Sequence, residues 1–554
     1  MHFPIIEVIL ALLLAVAALA HLAQRLEVPY PLMLVIGGLM LGFVPGLPHV
    51  TLNPDYVFLL FLPPLLYYGA VLTSWRDFRA NLRPISLLAV GLTLFTTVVV
   101  AYVTRLVVPG IPLAAAFVLG AIVSPPDAIA ATAVANKLRV PRRIVTILEG
   151  ESLVNDAIAL VAYRFAVAAA VTGAFSLPAA ALRIVIVSVG GIIIGLLAGV
   201  VVTWLRPKLH DHVVETTVSL LTPFIAYLPA EHLGVSGVLA TVAAGLYIAR
   251  SIPRTVSAAT RLRAYAVWDV FVFILNGLVF ILIGLQLPGI VERLGIGTRY
   301  SWSALIRWSV LISATTVAVR LLWVFPATYV PRWLIPAIAR RDPAPPPGSV
   351  FLIAWTGMRG IVSLAAALSL PAMAAGGSPF PGRDLIIFTT FAVILVTLLV
   401  QGLSLPWVIR ALGVRDEGLE EQDEEAMARY LTALAAVERI DTLANGSEQL
   451  ARESVQRVRG DYDGRLAYYS QKMSLQFGPA ESTTDGNPDT AGKSQPALRR
   501  ANISCSTEEQ LRREALSAER NMLVKLRDDG TISDEILRRV QRALDLEESR
   551  LDEE

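Results

Sequence analysis

Thirteen stretches of about 17–25 mostly apolar residues dominate the chain, and each is long enough to cross the hydrocarbon core of a bilayer. They fall near 4–22, 31–47, 55–74, 84–105, 111–135, 144–172, 179–205, 213–230, 234–250, 265–287, 303–330, 350–375 and 384–410. A chain with that many apolar runs is expected to fold as an all-α polytopic membrane protein. The mean hydropathy of +0.60 agrees.

Charge divides the chain further. Residues 1–410 hold only 15 of the 45 acidic residues, and residues 411–554 hold the other 30. The division predicts a transmembrane domain over 1–412 and a soluble helical tail over 413–554. In the tail, Met427, Leu431, Leu434, Val437 and Ile440 recur at helical spacing. Residues 478–497, rich in Gly, Pro, Ser, Thr and Asp, read as a flexible linker. Two helices are expected beyond it, one capped by Ser506 or Thr507 and one by Ser533 with Glu535 in its first turn. The tail carries no nucleotide-binding fingerprint, and its ligand is not specified by the sequence.

Positive charge sets the expected topology. Arg25, Arg76, Arg79, Arg83, Lys137, Arg139, Arg142, Arg143, Arg206 and Lys208 fall at one end of the spans. Arg250, Arg254, Arg261, Arg263, Arg332, Arg340, Arg341, Arg410 and Arg415 fall at the same end. The other end has only Arg105, Arg293, Arg299, Arg307 and Arg383. The positive-inside rule then places the N-terminus outside and the tail in the cytoplasm. The first span carries Glu7 and lacks a basic leading segment, so it reads as a retained helix and not a secretory signal. Arginine outnumbers lysine 42 to 5, which points to a GC-rich bacterial genome and hence to a bacterial inner membrane. The lone Cys505 leaves no internal disulfide and no cysteine-based metal site.

Within this apolar frame, Glu149-Gly150-Glu151-Ser152-Leu153-Val154-Asn155-Asp156 opens the sixth span with three carboxylates and an amide. Each carboxylate at mid-bilayer depth costs roughly 2.5–3.5 kcal/mol on insertion scales, so such groups point to ion or proton carriage. Two other spans are interrupted. Ser124-Pro125-Pro126-Asp127 breaks the fifth, because consecutive prolines cannot both keep the helical ladder. Thr356-Gly357-Met358-Arg359-Gly360 breaks the twelfth with a charge between Gly357 and Gly360. Open backbone at membrane depth is tolerated only beside protein or a water-filled cavity. Paired broken helices in the two halves of a chain point to inverted repeats with an ion site at the midplane.

Helix geometry sorts the sixth span. Ser152 and Asp156 lie one turn apart on one face, whereas Glu151 sits some 140° around the axis from Asp156. Asp156 is expected to face a cavity and Glu151 a neighbouring helix. A buried carboxylate needs a cation, and Arg359 is the expected partner, making Glu151–Arg359 a structural ion pair. Arg164 and Arg320 read as residues held near helix ends or paired inside the bundle.

Four segments in matching order carry a family resemblance: Phe61-Leu62-Pro63-Pro64-Leu65-Leu66-Tyr67, Ser124 to Ala128, Glu149 to Asp156, and Trp355 to Leu364. Over residues 5–412 the chain resembles the bacterial Na+/H+ antiporters of the cation:proton antiporter-1 family, which also contains the eukaryotic sodium/proton exchangers. The resemblance implies that Asp156 binds cation or proton, with Na+ at Asp156, and that Asp127 and Ser152 lie at the ion. Asn155 resembles the asparagine of electroneutral members. The implied activity is secondary active exchange of Na+, with Li+ and K+ as alternatives, for H+ by alternating access, serving pH and sodium homeostasis. A homodimer is implied too. No cofactor or nucleic acid is expected, only transported Na+ and H+. Two positions depart from the better-studied members: Pro126 replaces a threonine that helps hold the cation, and Tyr68 stands where some have an acid.

Rival classes lack their signatures. A tail-gated cation channel would show a carbonyl filter or a ring of charges. An intramembrane hydrolase would show a catalytic pair or a zinc-binding helix, so no enzyme is expected. Gly191, Gly195 and Gly199 form a small-residue stripe in the seventh span, read as close packing within the bundle or as a dimer face. His210 and His212 flank a turn, and Asp269 and Asn276 share a face of the tenth span.

Overall fold

The computed structural model describes residues 5–26, 28–44, 56–173, 177–209, 211–294, 300–374, 378–414, 419–446, 452–477 and 501–553. The predicted linker at 478–497 and His210 lie outside them. Among the described residues the chain is helical, and its one extended pairing is an isolated antiparallel bridge between Met373 and Pro379. The principal helices are α1 (Ile5–Arg25), α2 (Tyr30–Gly42), α3 (Leu62–Leu72), α4 (Thr93–Val107), α5 (Leu113–Val123), α6 (Ala128–Lys137) and α7 (Arg142–Thr172). They continue with α8 (Leu177–Leu205), α9 (His212–His232), α10 (Gly237–Thr255), α11 (Ala258–Leu285), α12 (Trp302–Leu334), α13 (Pro347–Trp355), α14 (Ile361–Leu368) and α15 (Arg383–Leu412). The last four are α16 (Leu419–Gly446), α17 (Arg452–Phe477), α18 (Ala501–Asp528) and α19 (Asp534–Glu553).

Among the described residues, eight helical segments are at least 18 residues long and apolar enough to cross a membrane. The other predicted spans fall on α2, α3, the α5–α6 and α13–α14 pairs, and α10, which are shorter, interrupted or less apolar. Local chemistry sets several helix ends. Pro63 and Pro64 sit in the first turn of α3, directly after a π-helical turn over Val57–Phe61 that runs into it. α7 stops at Gly173, whose φ of 72° is the left-handed C-cap that glycine adopts without strain.

By its contacts the chain separates into two compact units. The first comprises Met1–Thr255 and Tyr265–Asp416; the second comprises Glu417–Glu554 together with Val256–Ala264. The sequence division at 412 did not anticipate that Val256–Ala264 would join the second unit. α11 therefore begins in one unit and continues into the other.

In the first unit the small-residue stripe of α8 lies against α10. A Cβ on Gly191 would come within 2.5 Å of the Ser236 carbonyl oxygen, and one on Gly195 within 2.1 Å of that of Ala240. Close backbone packing inside this chain accounts for both glycines. Basic residues at helix ends meet around Asp342, whose carboxylate receives Arg83 at 2.7 Å, Arg143 at 2.6 Å and Arg332 at 2.6 Å. Arg142 pairs nearby with Asp77 at 2.6 Å. Arg164 pairs with Glu231 at 3.0 Å.

The second unit buries two apolar clusters among its four tail helices. One gathers Leu516, Leu523, Ile532, Ile536 and Val540; the other gathers Ala433, Ile440, Val458, Tyr462 and Leu511. Ser533 caps α19 as expected, its Oγ accepting from the Ile536 N–H at 3.3 Å. α18 begins at Ala501, upstream of the Ser506 and Thr507 positions expected to cap it. Nothing in the preceding residues breaks a helix, so the ladder runs through both.

Candidate functional site: the crossing of two broken helices

Breaking a helix inside a bundle leaves carbonyls at one half-helix end and N–H groups at the other without intrahelical partners. Here the two breaks satisfy each other. The Asp127 N–H donates to the Met358 carbonyl oxygen at 2.7 Å, so the α5–α6 break borrows an acceptor from the α13–α14 break. In the opposite direction, Arg359 donates Nε–H to the Val123 carbonyl oxygen, the last of α5, at 2.7 Å. It also donates Nη1–H to the Gly357 carbonyl oxygen just beyond α13. Its backbone N–H is held by Thr397 Oγ1 of α15 at 3.1 Å.

Charge follows the helix dipoles at this crossing. Helix C-termini carry partial negative charge and N-termini partial positive charge. The Arg359 guanidinium lies at the ends of α5 and α13. The Asp127 carboxylate lies at the starts of α6 and α14: Oδ1 accepts from the Ile129 N–H at 2.9 Å, and Oδ2 lies against Gly360. A Cβ on Gly360 would fall 1.9 Å from that oxygen, so only glycine permits this approach. Asn155 ties α7 to the same place, donating Nδ2–H to the Pro126 carbonyl oxygen at 3.0 Å. Its own carbonyl oxygen is fully buried and has no hydrogen-bond donor among the described residues.

A cavity of about 180 Å³ opens against this crossing. Its lining includes Asp127, Glu149, Ser152, Asp156 and Ser363, together with Leu62, Leu65, Leu66 and Leu72 of α3. Asp156 is nearly buried, at 7% exposure, and faces this space. Carboxylate, hydroxyl and carbonyl oxygens are the ligands that suit a hard cation. Among the described residues no cluster of three or more His, Cys, Asp or Glu side chains forms a conventional metal site. The chemistry available is oxygen coordination of a small cation, or protonation of a carboxylate.

The expected Glu151–Arg359 pair is not what forms. Glu151 is paired with Arg320 of α12 by two parallel bonds, Nη1 to Oε1 at 2.6 Å and Nη2 to Oε2 at 2.7 Å. Both side chains are essentially fully buried. The reason is geometric. The carbonyls opened by the breaks engage Arg359, whereas Arg320 enters from α12 and presents the planar fork that matches a carboxylate. Arg320 also donates Nε–H to the Ile353 carbonyl oxygen of α13 at 3.2 Å, so the pair stitches α7, α12 and α13 together.

The sequence reading passed over Thr397, an ordinary helical threonine with nothing in its neighbourhood to single it out. It also missed the partner of Tyr68, whose hydroxyl donates to Asp269 of α11 and whose ring stacks on Trp268 with centroids 5.4 Å apart. Arg320 did carry a signal, since it sits as deep in an apolar span as Arg359 does.

Residues 9–411 match the family model described as sodium/hydrogen exchanger, transmembrane. The chain is 36% identical over 545 residues to a Mycobacterium tuberculosis protein named as an uncharacterized Na+/H+ exchanger, covering 98% of this chain and 96% of the relative. It is 38% identical over 416 residues to the sodium, potassium, lithium and rubidium/H+ antiporter of Bacillus subtilis, covering 72% of this chain and 61% of that protein. Its fold is similar to that of the sodium proton antiporter MjNhaP1 from Methanocaldococcus jannaschii, with a TM-score of 0.59 at 18% identity over 74% of this chain and 98% of that one. With the family model spanning most of its length, this chain belongs to the sodium/hydrogen exchanger family.

Proposed function

We propose that the protein exchanges a monovalent cation for a proton by alternating access, with Asp156 as the group for which the two compete. The carrying observation is the placement of Asp156: a nearly buried carboxylate facing a cavity, where two broken helices cross. Asp127, fixed by the Ile129 N–H and against Gly360, serves as a stationary ligand. Ser152 and the unpartnered Asn155 carbonyl oxygen complete the oxygen set. With one exchanging carboxylate and an uncharged Asn155, one cation moves against one proton and transport is electroneutral.

Na+ is the proposed principal cation, with Li+ and K+ as further substrates. Pro126 offers no hydroxyl, so the site discriminates between cations with fewer ligands than a threonine there would provide. The name of the Bacillus subtilis relative, which includes potassium and rubidium, supports the reading of K+/H+ exchange as an additional activity. The protein is proposed to act as a homodimer in a bacterial inner membrane, N-terminus outside and tail in the cytoplasm, serving pH and sodium homeostasis. The experiment is proton efflux from proteoliposomes holding the full chain, driven in turn by Na+, Li+ and K+. Efflux that needs a counter-cation supports antiport; proton flux that ignores the cation refutes it.

A further inference from the structure

The tail contains a buried titratable cluster that the transport site does not use. Glu519 of α18 is 3% exposed. Each neighbouring helix presents a group to it. From α17 the Tyr462 hydroxyl donates to Glu519 Oε2 at 3.1 Å, and Arg465 Nη1 lies 3.9 Å from the same oxygen. Arg465 is already engaged, its Nη2 donating to Glu547 of α19 at 2.6 Å. From α16 the nearby charge is Arg429, itself paired with Glu425 at 2.9 Å. Burial pushes the Glu519 carboxyl up to about 7; the Glu547 charge adds to the rise, and Arg465, the Tyr462 hydrogen bond and Arg429 oppose it.

The next residue along α18 leads to a second buried link. Arg520 donates to Asp545 of α19 at 3.2 Å and also to Glu548. Asp545 in turn accepts from Arg261, with Nε to Oδ2 at 2.9 Å, and both side chains are 3% exposed. Arg261 lies in the first turn of α11 and belongs to the same compact unit as the tail helices. Beyond that turn α11 continues without interruption through Asp269 and Asn276.

We propose that Glu519 binds a regulatory proton from the cytosol, and that its ionisation draws Arg465 from Glu547 and loosens the hold of α19 on the first turn of α11. The reading rests on the antiport function and the cytoplasmic tail proposed above. A buried carboxylate that ionises needs a counter-charge. Arg465 is within reach, and Glu547 then loses its partner. α19 thereby loses its tie to α17; it stays attached through Arg520 of α18, Arg539 to Glu425 of α16 and its apolar face, and its C-terminal half, which carries Asp545, holds Arg261 less firmly. A transport helix pinned at its start exchanges conformations more slowly than a released one, so turnover rises as the cytosol becomes alkaline. The linkage has a definite sign. The folded-state value lies above the ordinary carboxyl value of 4.5, so the tail loses stability as pH rises from about 4.5 to about 7 and then levels off.

The test uses the full chain in proteoliposomes, with amide hydrogen exchange at 256–264 and cation-driven proton flux followed from pH 6 to 8.5. Exchange at 256–264 should rise with a midpoint near 7, with flux rising in step. Glu519→Gln, which keeps the shape but cannot ionise, should hold the segment protected and flux at its low-pH level throughout. Asp545→Asn should leave the segment open and flux high at every pH. A Glu519→Gln protein that keeps the wild-type midpoint overturns the proposal, as does a wild-type segment 256–264 protected equally at all pH values. The exchange readout needs no transport, so absent flux in the wild type would count against antiport and leave the test of Glu519 intact.

Discussion

Two carboxylates on α7, five residues apart, meet opposite fates. Glu151 is locked by two bonds to Arg320, while Asp156 looks into a cavity and pairs with no arginine among the described residues. Both are buried, so burial alone does not mark an exchanging group. What separates them is the partner. A bidentate arginine fixes the charge permanently, whereas a space lined by oxygens lets a proton or a cation come and go. One helix carries both, because residues five apart point some 140° away from each other.

The largest effect that tests this contrast is Asp156→Asn. It should abolish cation-driven proton flux while the protein still inserts and melts near the wild-type temperature, measured by flux and thermal unfolding in detergent. Near-normal flux in that variant would erase the distinction between the two faces. Next comes the locked face. Glu151→Gln or Arg320→Met alone should lower stability by about 3–5 kcal/mol, since each strands a buried charge or its partner. Removing both should cost less than the sum, whereas pairing Glu151→Gln with Arg359→Met should give a clearly smaller coupling, since Arg359 shares only the field of Glu151 and not its hydrogen bonds. A double-mutant cycle that couples Glu151 to Arg359 more strongly than to Arg320 would restore the pairing expected from sequence.

A third variant probes the geometry that positions the open face. Gly360→Ala puts a methyl group where the Asp127 carboxylate now sits, 1.9 Å from Oδ2. Flux should fall by about tenfold or more, because misplacing a reacting group by an ångström costs on the order of 100-fold in enzymes. Gly357→Ala is the harder control to read, since Arg320 and Arg359 both crowd it. The smallest expected effect is a null one. An imposed K+/valinomycin potential should leave Na+-driven proton flux unchanged if Asp156 alone exchanges. Clear acceleration by voltage would bring Asp127 into the proton count.

The sequence made the helical body and the two interruptions legible for different reasons. Long apolar runs and adjacent prolines are local signals, and they fixed where helices and breaks fall. The faces of α7 followed from helical phase. Phase says where Glu151 points but not which arginine meets it, and two buried arginines were on offer. That choice depended on the carbonyls opened at residues 123 and 357, which engage Arg359 in three dimensions. The grouping of Val256–Ala264 with the tail was likewise invisible, because the helical pattern of α11 runs through it unbroken. Ser533 was readable as a cap because its chemistry is local.

The leucine wall of the cavity bears on how the molecule can move. Leu62 and Leu66 of α3 pack with Leu153 and Ala157 of α7 and with Leu239 of α10 in one apolar cluster. Dispersion contacts have no preferred direction, and one leucine can trade one neighbour for another at nearly constant energy. A surface of this kind works as a bearing. Sliding of α3 along α7 at these leucines would meet friction set by side-chain rotation, and the directional bond that α3 carries, Tyr68 to Asp269, ties it to α11 instead.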